Sequence, residues 1–391
     1  MSIPETVPEC ARRLRSVIRE ASAGLIDREV LIDVLVLAAV AGEHVLVLGP
    51  PGTAKSEAVR RVANALGGRY FEYLLGRFTE PSELFGPVNL LKLREGLVET
   101  DTGGMLPEAE VAFLDEIFQG STAILNTLLG LLNERVFIRG HTRLKVPLRL
   151  CVGASNALPT DESLAAFADR FLLRVFVEPV SDPSLEELLT AGWRVSAQQP
   201  RAPSSSSLAS LDELAAAARA VNMDGTVPVL AEAVRKLRAG GTFLSDRRLV
   251  RAQRLIAAAA ALDGRTRATI ADLWPLVYVM PTAESQSTAR NLLGRLLSES
   301  DSSILQSAAD EASRGPEIRA RRLVTFAETA LGDGGTSAPD QPIRDDAWRL
   351  KVEALLRDID AGFAPEARSP ELTAVRERLR DALPATPNHL T

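Results

Sequence analysis

The stretch His44–Leu66, "HVLVLGPPGTAKSEAVRRVANAL", decides the fold. It joins an apolar run, a Gly/Pro loop and an amphipathic run. The apolar run "HVLVLG" reads as a strand buried on both faces. "KSEAVRRVANAL" reads as a helix with one apolar stripe. Between them, Gly49, Pro50, Pro51, Gly52, Thr53, Ala54, Lys55 and Ser56 follow the phosphate-loop pattern G-x-x-x-x-G-K-[ST]. The one departure is Ala54, which stands where the second glycine belongs. Such a loop aims backbone N–H groups at phosphate oxygens, at the N-terminus of the next helix. Pro50 and Pro51 stiffen the entry, and Gly52 permits close backbone approach. Lys55 would reach the outer phosphates, and the Ser56 hydroxyl would ligate Mg²⁺. The plainer alternative is a turn joining a strand to a helix.

Four further runs read as strands: Arg69–Leu75, Val111–Asp115, Leu148–Ser155 and Leu172–Val177. Helical patterns separate them, so the expectation is α/β with a mostly parallel five-stranded sheet. Ligands bind beyond the carboxyl ends of such strands. "VAFLDE" delivers Asp115 and Glu116 to that edge. There Asp115 would hold Mg²⁺ through water and Glu116 would polarise an attacking water. A surface turn is the alternative. "CVGASN" ends in Asn156, which could orient the water or touch the γ-phosphate, although Asn is also a turn former. "ADRFLLR" carries Arg170, either an ordinary surface or ion-paired residue or an arginine finger acting on a neighbour's nucleotide. "FLSDRRLVRAQRL" sets Arg247 and Arg248 at a helix start behind Ser245, a plausible N-cap. Cations there oppose the helix dipole, which suggests a nearby anion; a solvated face is the alternative.

The whole chain sets bounds on these readings. Its 391 residues are 46% hydrophobic and 25% charged, with net charge −6. This is the composition of a soluble globular protein with room for two or three domains. The acidic balance argues against a dedicated nucleic-acid binder. Two cysteines and three histidines are scattered, with neither disulfide nor zinc spacing. Cys151 is expected as a reduced core residue. The N-terminus lacks a signal-peptide core. The most hydrophobic stretch, Val30–Leu48, is broken by Asp33, Glu43 and His44, so no membrane span is expected and the cytoplasm is the default. Ser196–Ser210 and Gly332–Pro342 read as linkers, and the chain after the first of them reads as helical. Gly86–Gly104 reads as a short hairpin interrupting a helix. Arg135–Pro147 reads as a β-hairpin turning at Arg139, Gly140 and His141.

Together these segments resemble the MoxR family of AAA+ ATPases, most closely its RavA-like branch. The resemblance covers roughly residues 12–300. It rests on the order and spacing of "GPPGTAKS", "FEYLLGRFTEPSELFGP", "GMLPEAEVAFLDEIF", "ILNTLLGLLNERVF", "GASN", "ADRF" and "FLSDRRLVRAQRLIAAAA". It implies that Lys55 and Ser56 are the Walker A lysine and hydroxyl, and that Asp115 and Glu116 form Walker B. Asn156 falls on sensor 1, Arg170 on the arginine finger, and Arg247 on sensor 2, with Arg248 the close alternative. Ala54 also looks family-like. The implied organisation is an AAA+ core with an N-terminal helix over 1–180, a connecting segment over 181–222, an all-α lid over 223–300 and a helical extension over 301–391. The implied function is ATP hydrolysis with Mg²⁺ at the interfaces of a homo-oligomeric ring, taken as a hexamer. It would serve chaperone-like remodelling of a protein client, with a von Willebrand factor A domain partner. A nucleotide-gated scaffold, a nucleic-acid motor and a metal-chelatase motor are the alternatives. The two inserts would be pore or substrate loops, or plain surface decoration.

Overall fold

Short apolar runs bounded by turns and separated by helical segments favour a parallel sheet, because parallel neighbours need a crossover connection and a helix supplies it. The computed structural model describes residues 6–196, 207–334, 342–365 and 368–383. The chain starts with α1 (Val7–Ser22) and α2 (Glu29–Ala41), then β1 (Val45–Leu48) and α3 (Lys55–Leu66). Next come β2 (Tyr70–Leu74), α4 (Pro81–Phe85), α5 (Leu90–Arg94), β3 (Val111–Asp115) and α6 (Thr122–Glu134). After the small pair β4 (Val136–Arg139) and β5 (Thr142–Lys145) come β6 (Leu150–Ser155), α7 (Glu162–Ala168) and β7 (Leu173–Phe176).

The main sheet runs β2-β3-β6-β1-β7, parallel throughout. Leu48 pairs with Ser155 and with Phe176, and Leu74 pairs with Asp115. Strands β1, β3 and β6 therefore end on one edge, where their following loops converge. Every residue of β1 and β6 is buried, as the continuous apolar runs require. Helix α2 is apolar nearly all round and is buried from Leu31 to Val40, as a central helix must be.

Helices α8 (Leu185–Ser196), α9 (Ser207–Ala220), α10 (Val227–Ala239), α11 (Asp246–Leu262), α12 (Leu276–Val279) and α13 (Ala283–Leu297) follow. The chain closes with α14 (Gln306–Gly334), α15 (Pro342–Gly362) and α16 (Pro370–Ala382). Two compact units result: one of Met1–Pro179 and Gln199–Ser313, the other of Val180–Gln198 and Arg314–Thr391. In the first, α9 packs on α1, α2 and α11 through buried Leu211 and Leu214. The alanine run Ala257–Ala261 of α11 is buried in the same unit. The second has its own core, including Ala327, Val352, Leu355, Ile359, Leu372 and Val375.

Two expectations need correction. Gly86–Gly104 is not a hairpin: it holds the short helix α5, N-capped by Asn89, and is closed by a single bridge between Val88 and Thr100. The run "LLKLR" favours helix over strand. The linker expected over Ser196–Ser210 is helical at Ser207–Ser210, where Ser207 and Ser210 are buried; residues 197–206 lie outside the described residues. The hairpin of Arg135–Pro147 forms as read: β4 and β5 pair antiparallel, with Gly140 at φ +58° in the turn. Of the second linker, Gly332–Gly334 close α14 and Pro342 opens α15; residues 335–341 lie outside the described residues.

Candidate active site

The loop after β1 begins where a side chain cannot fit. A Cβ on Gly49 would sit 2.1 Å from the Val177 carbonyl oxygen, so only glycine lets the chain leave β1 beside the end of β7. Gly52 has φ +79° and Ala54 has φ 57°, ψ 27°. The left-handed conformation that the usual second glycine would adopt is therefore present, but on an alanine. That costs roughly 1–2 kcal/mol, which the surroundings must hold in place.

Several of the loop carbonyls are engaged within the protein. Lys55 Nζ donates to Gly49 O at 2.7 Å and Pro50 O at 2.8 Å. Thr53 Oγ1 donates to Pro50 O at 2.9 Å. Arg28, at the start of α2, donates from Nε to Thr53 O at 2.8 Å and from Nη2 to Glu178 O at 2.9 Å. The first helical bond of α3 is Ala58 N–H to Ala54 O. Among the described residues, no backbone acceptor takes the N–H of Ala54, Lys55 or Ser56. Lys55 is only 7% exposed. Burial lowers its pKa, and the nearby carboxylates of Asp115 and Glu116 oppose that shift. A buried lysine beside backbone N–H groups at a helix N-terminus is a donor set that suits a phosphate.

Across the same edge, Asn156 Nδ2 donates to Glu116 Oε1 at 2.9 Å. The Glu116 backbone is itself left-handed, at φ 49° and ψ 45°. Its N–H donates to Asp115 Oδ1 at 3.0 Å, and its carbonyl accepts from Gln119 N–H at 2.8 Å. Backbone strain on a carboxylate residue at a strand's carboxyl end is a mark of function. Sheet topology thus brings together the loop of Gly49–Ser56, Asp115, Glu116 and Asn156. As donors, the Ser56 hydroxyl and the Asp115 carboxylate suit Mg²⁺, which takes its remaining ligands from phosphate and water. Among the described residues, no group of three or more His, Cys, Asp or Glu could hold a metal unaided.

The three arginines lie elsewhere. Val45 at the start of β1 pairs with Leu173 at the start of β7, and Arg170 precedes Leu173. It therefore stands beyond the amino edge, separated from the phosphate loop by the length of β1, on the order of 13 Å. Its Nε is buried and has no hydrogen-bond partner among the described residues. Arg247 donates to Asn133 at the end of α6, and Leu132 next to it contacts His44 just before β1, again at the amino edge. Arg248 is 3% exposed and heavily engaged. It pairs with Asp169 Oδ1 at 2.9 Å and donates to Phe171 O at 3.2 Å, Leu172 O at 2.7 Å and Val279 O at 2.6 Å. The expectation that Arg248 contacts nucleotide does not fit this placement: its guanidinium fastens α11 to the start of β7. Ser245 does cap α11, accepting from Arg248 N–H.

Sequence reasoning missed Arg28. The available signal was an arginine directly before a helix otherwise destined for the core.

The fold and this edge define a phosphate-loop nucleoside triphosphatase architecture with a helical lid. Residues 12–216 match the MoxR domain of the MoxR-vWA-beta-propeller ternary systems, and residues 226–291 match an AAA lid domain. An uncharacterized protein of Methanocaldococcus jannaschii is 36% identical over 272 residues, 69% of this chain and 70% of its own. Chaperone MoxR1 of Mycobacterium tuberculosis is 27% identical over 210 residues, 52% of this chain and 54% of its own. A crystal structure from Cytophaga hutchinsonii superposes with a TM-score of 0.59 at 16% identity, over 76% of this chain and 97% of that one. The chain belongs to the MoxR family of AAA+ ATPases. Among the described residues, no helix is long and apolar enough to cross a membrane.

Proposed function

We propose that this protein hydrolyses ATP at a site shared between adjacent copies in a ring, taken as a hexamer. The observation that carries the reading is the Asn156–Glu116 hydrogen bond at the edge where Lys55 and the loop N–H groups stand. Glu116 takes the proton from, and orients, the attacking water, while Asn156 fixes the carboxylate. Lys55 leaves the Gly49 and Pro50 carbonyls for the β- and γ-phosphates and offsets their charge. Ser56 and Asp115 would hold Mg²⁺, which would supply positive charge against the negative charge developing on the phosphates. Arg170 and Arg247 stand at the opposite edge, so a single chain cannot place them on its own phosphates. That separation supports an arginine finger and a sensor supplied to a neighbouring copy. Arg248 is better read as structural.

The work driven is chaperone-like remodelling of a protein client in the cytoplasm. It would be done with a von Willebrand factor A domain partner, the association that the matching domain's name carries. Placement in the RavA-like branch rests on the motif resemblance. The organisation proposed is a core to about residue 180, a lid over 223–300 and a helical extension beyond 301. Within 181–222, α9 serves the first unit's core rather than a bare connection. The test is Glu116→Gln: the purified variant should bind ATP and fail to turn it over. Undiminished turnover would refute the assignment.

A further inference from the structure

The left-handed Ala54 raises a question that the phosphate-loop reading leaves open, namely what holds an alanine where glycine normally sits. A trans peptide is planar, with its C=O and N–H antiparallel. Thr53 O and Ala54 N–H belong to one such peptide. Arg28 Nε holds Thr53 O at 2.8 Å in a buried contact, so Ala54 N–H must point the other way, out of that contact. Arg28 is itself fixed, because its other nitrogens donate to Glu178 O, after β7, and to Asp27 O. It is 5% exposed, and Asp27 before it is also left-handed, at φ 59°.

We propose that Arg28 is a positioning residue for nucleotide binding. Its guanidinium locks the Thr53–Ala54 peptide so that Ala54 is held left-handed and its N–H is presented to a nucleotide phosphate. This rests on the reading of the loop as a nucleotide site. Arg28 does for Ala54 what the missing glycine would do unaided, since glycine enters the left-handed region without a Cβ penalty. With Arg28 in place the strain is already met in the free protein, and nucleotide binding does not have to supply it. Without Arg28 the peptide relaxes, and each binding event must restore it.

The test is a double-mutant cycle read by titration of a fluorescent ADP analogue. Arg28→Ala should weaken binding about tenfold, the range set by the left-handed penalty for alanine. Ala54→Gly in the otherwise unaltered chain closes the cycle, giving the glycine background against which loss of Arg28 is read. Ala54→Gly added to Arg28→Ala should recover most of the loss, because glycine needs no clamp. Arg28→Lys keeps the charge but not the planar fork, and it should also weaken binding. It serves as the variant if Arg28→Ala does not fold. Arg28→Ala or Arg28→Lys binding like the unaltered chain would overturn the proposal. So would a double variant no better than Arg28→Ala, which would mean that Arg28 acts through its charge or through fold stability. Failure of the unaltered chain to bind ADP would instead sink the nucleotide-site reading itself.

Discussion

Asp33 offers a test of the packing that is independent of catalysis. It lies in the middle of α2, 2% exposed, and accepts the Ala308 N–H at 3.0 Å at the start of α14. Burial pushes its pKa up from 3.8 to about 7, against the opposing effect of the Ala308 and Ser307 backbone N–H groups. The fold therefore holds the Asp33 proton more tightly than the unfolded chain does. Below about pH 4 both states are protonated and its contribution to stability is complete. As pH rises the unfolded chain releases the proton first, and stability falls by about 1.4 kcal/mol per pH unit until the folded group ionises near 7. The full loss is roughly 4 kcal/mol, of which roughly 3 kcal/mol falls between pH 5 and pH 8. The side-chain amide introduced by Asp33→Asn still offers an oxygen to Ala308 N–H and has no proton to lose. Urea denaturation followed by circular dichroism at pH 5 to 8 should show the variant gaining on the parent by roughly that 3 kcal/mol as pH rises. A stability difference that stays constant with pH would refute the argument. It would mean that the two N–H groups keep Asp33 ionised throughout.

Other outcomes follow from the same structure. Removing Arg248 strands the Asp169 carboxylate and the carbonyls of Phe171, Leu172 and Val279. Arg248→Ala should thus destabilise the first unit by about 3 kcal/mol or more, measurable by urea denaturation; a loss under about 1 kcal/mol would contradict the fastening role. Asn156→Ala frees the Glu116 carboxylate. It should lower kcat by on the order of 10²-fold while leaving ADP affinity near that of the parent, and steady-state kinetics with an ADP titration checks both. Lys55→Ala should reduce nucleotide affinity itself, which the same titration reads directly.

The sheet was legible because its central strands are buried on both faces. "VAFLD" appears at Val111–Asp115 without shift, and the other four runs are trimmed by only one or two residues at their ends. Asp115, Glu116 and Asn156 were legible for the same reason: a polar residue closing an apolar strand has to emerge at the carboxyl edge. The insertion at Gly86–Gly104 was misread because its "LLKLR" run favours helix and because part of its anchoring is non-local. Val98 N–H donates to His141 Nδ1 and His141 N–H donates back to Val98 O, a pairing between two inserts that neither segment announces. The arginines were harder still. Spacing shows that Arg247 and Arg248 open a helix, but tertiary packing alone turns one toward the end of α6 and sinks the other among carbonyls. Glu43 broke the apolar pattern of its segment, yet it is fully buried against Arg251 and Arg254 of helix α11. A charge inside an apolar run thus marked an ion-pair partner brought from far along the chain. Arg28 left almost no trace, since its role depends on backbone carbonyls rather than on any side chain that a motif would include.

The central claim is that one site is built from two copies, with the phosphate loop on one and Arg170 on the next. Mixing two inactive variants tests it directly. Lys55→Ala spoils the loop and keeps the finger, while Arg170→Ala keeps the loop and loses the finger. Each alone should be nearly inactive, and in an equal mixture roughly a quarter of the head-to-tail interfaces would pair an intact loop with an intact finger. ATP turnover should then reappear on mixing, in proportion to those interfaces. A mixture as silent as its components, or full turnover by Arg170→Ala alone, would contradict the shared site.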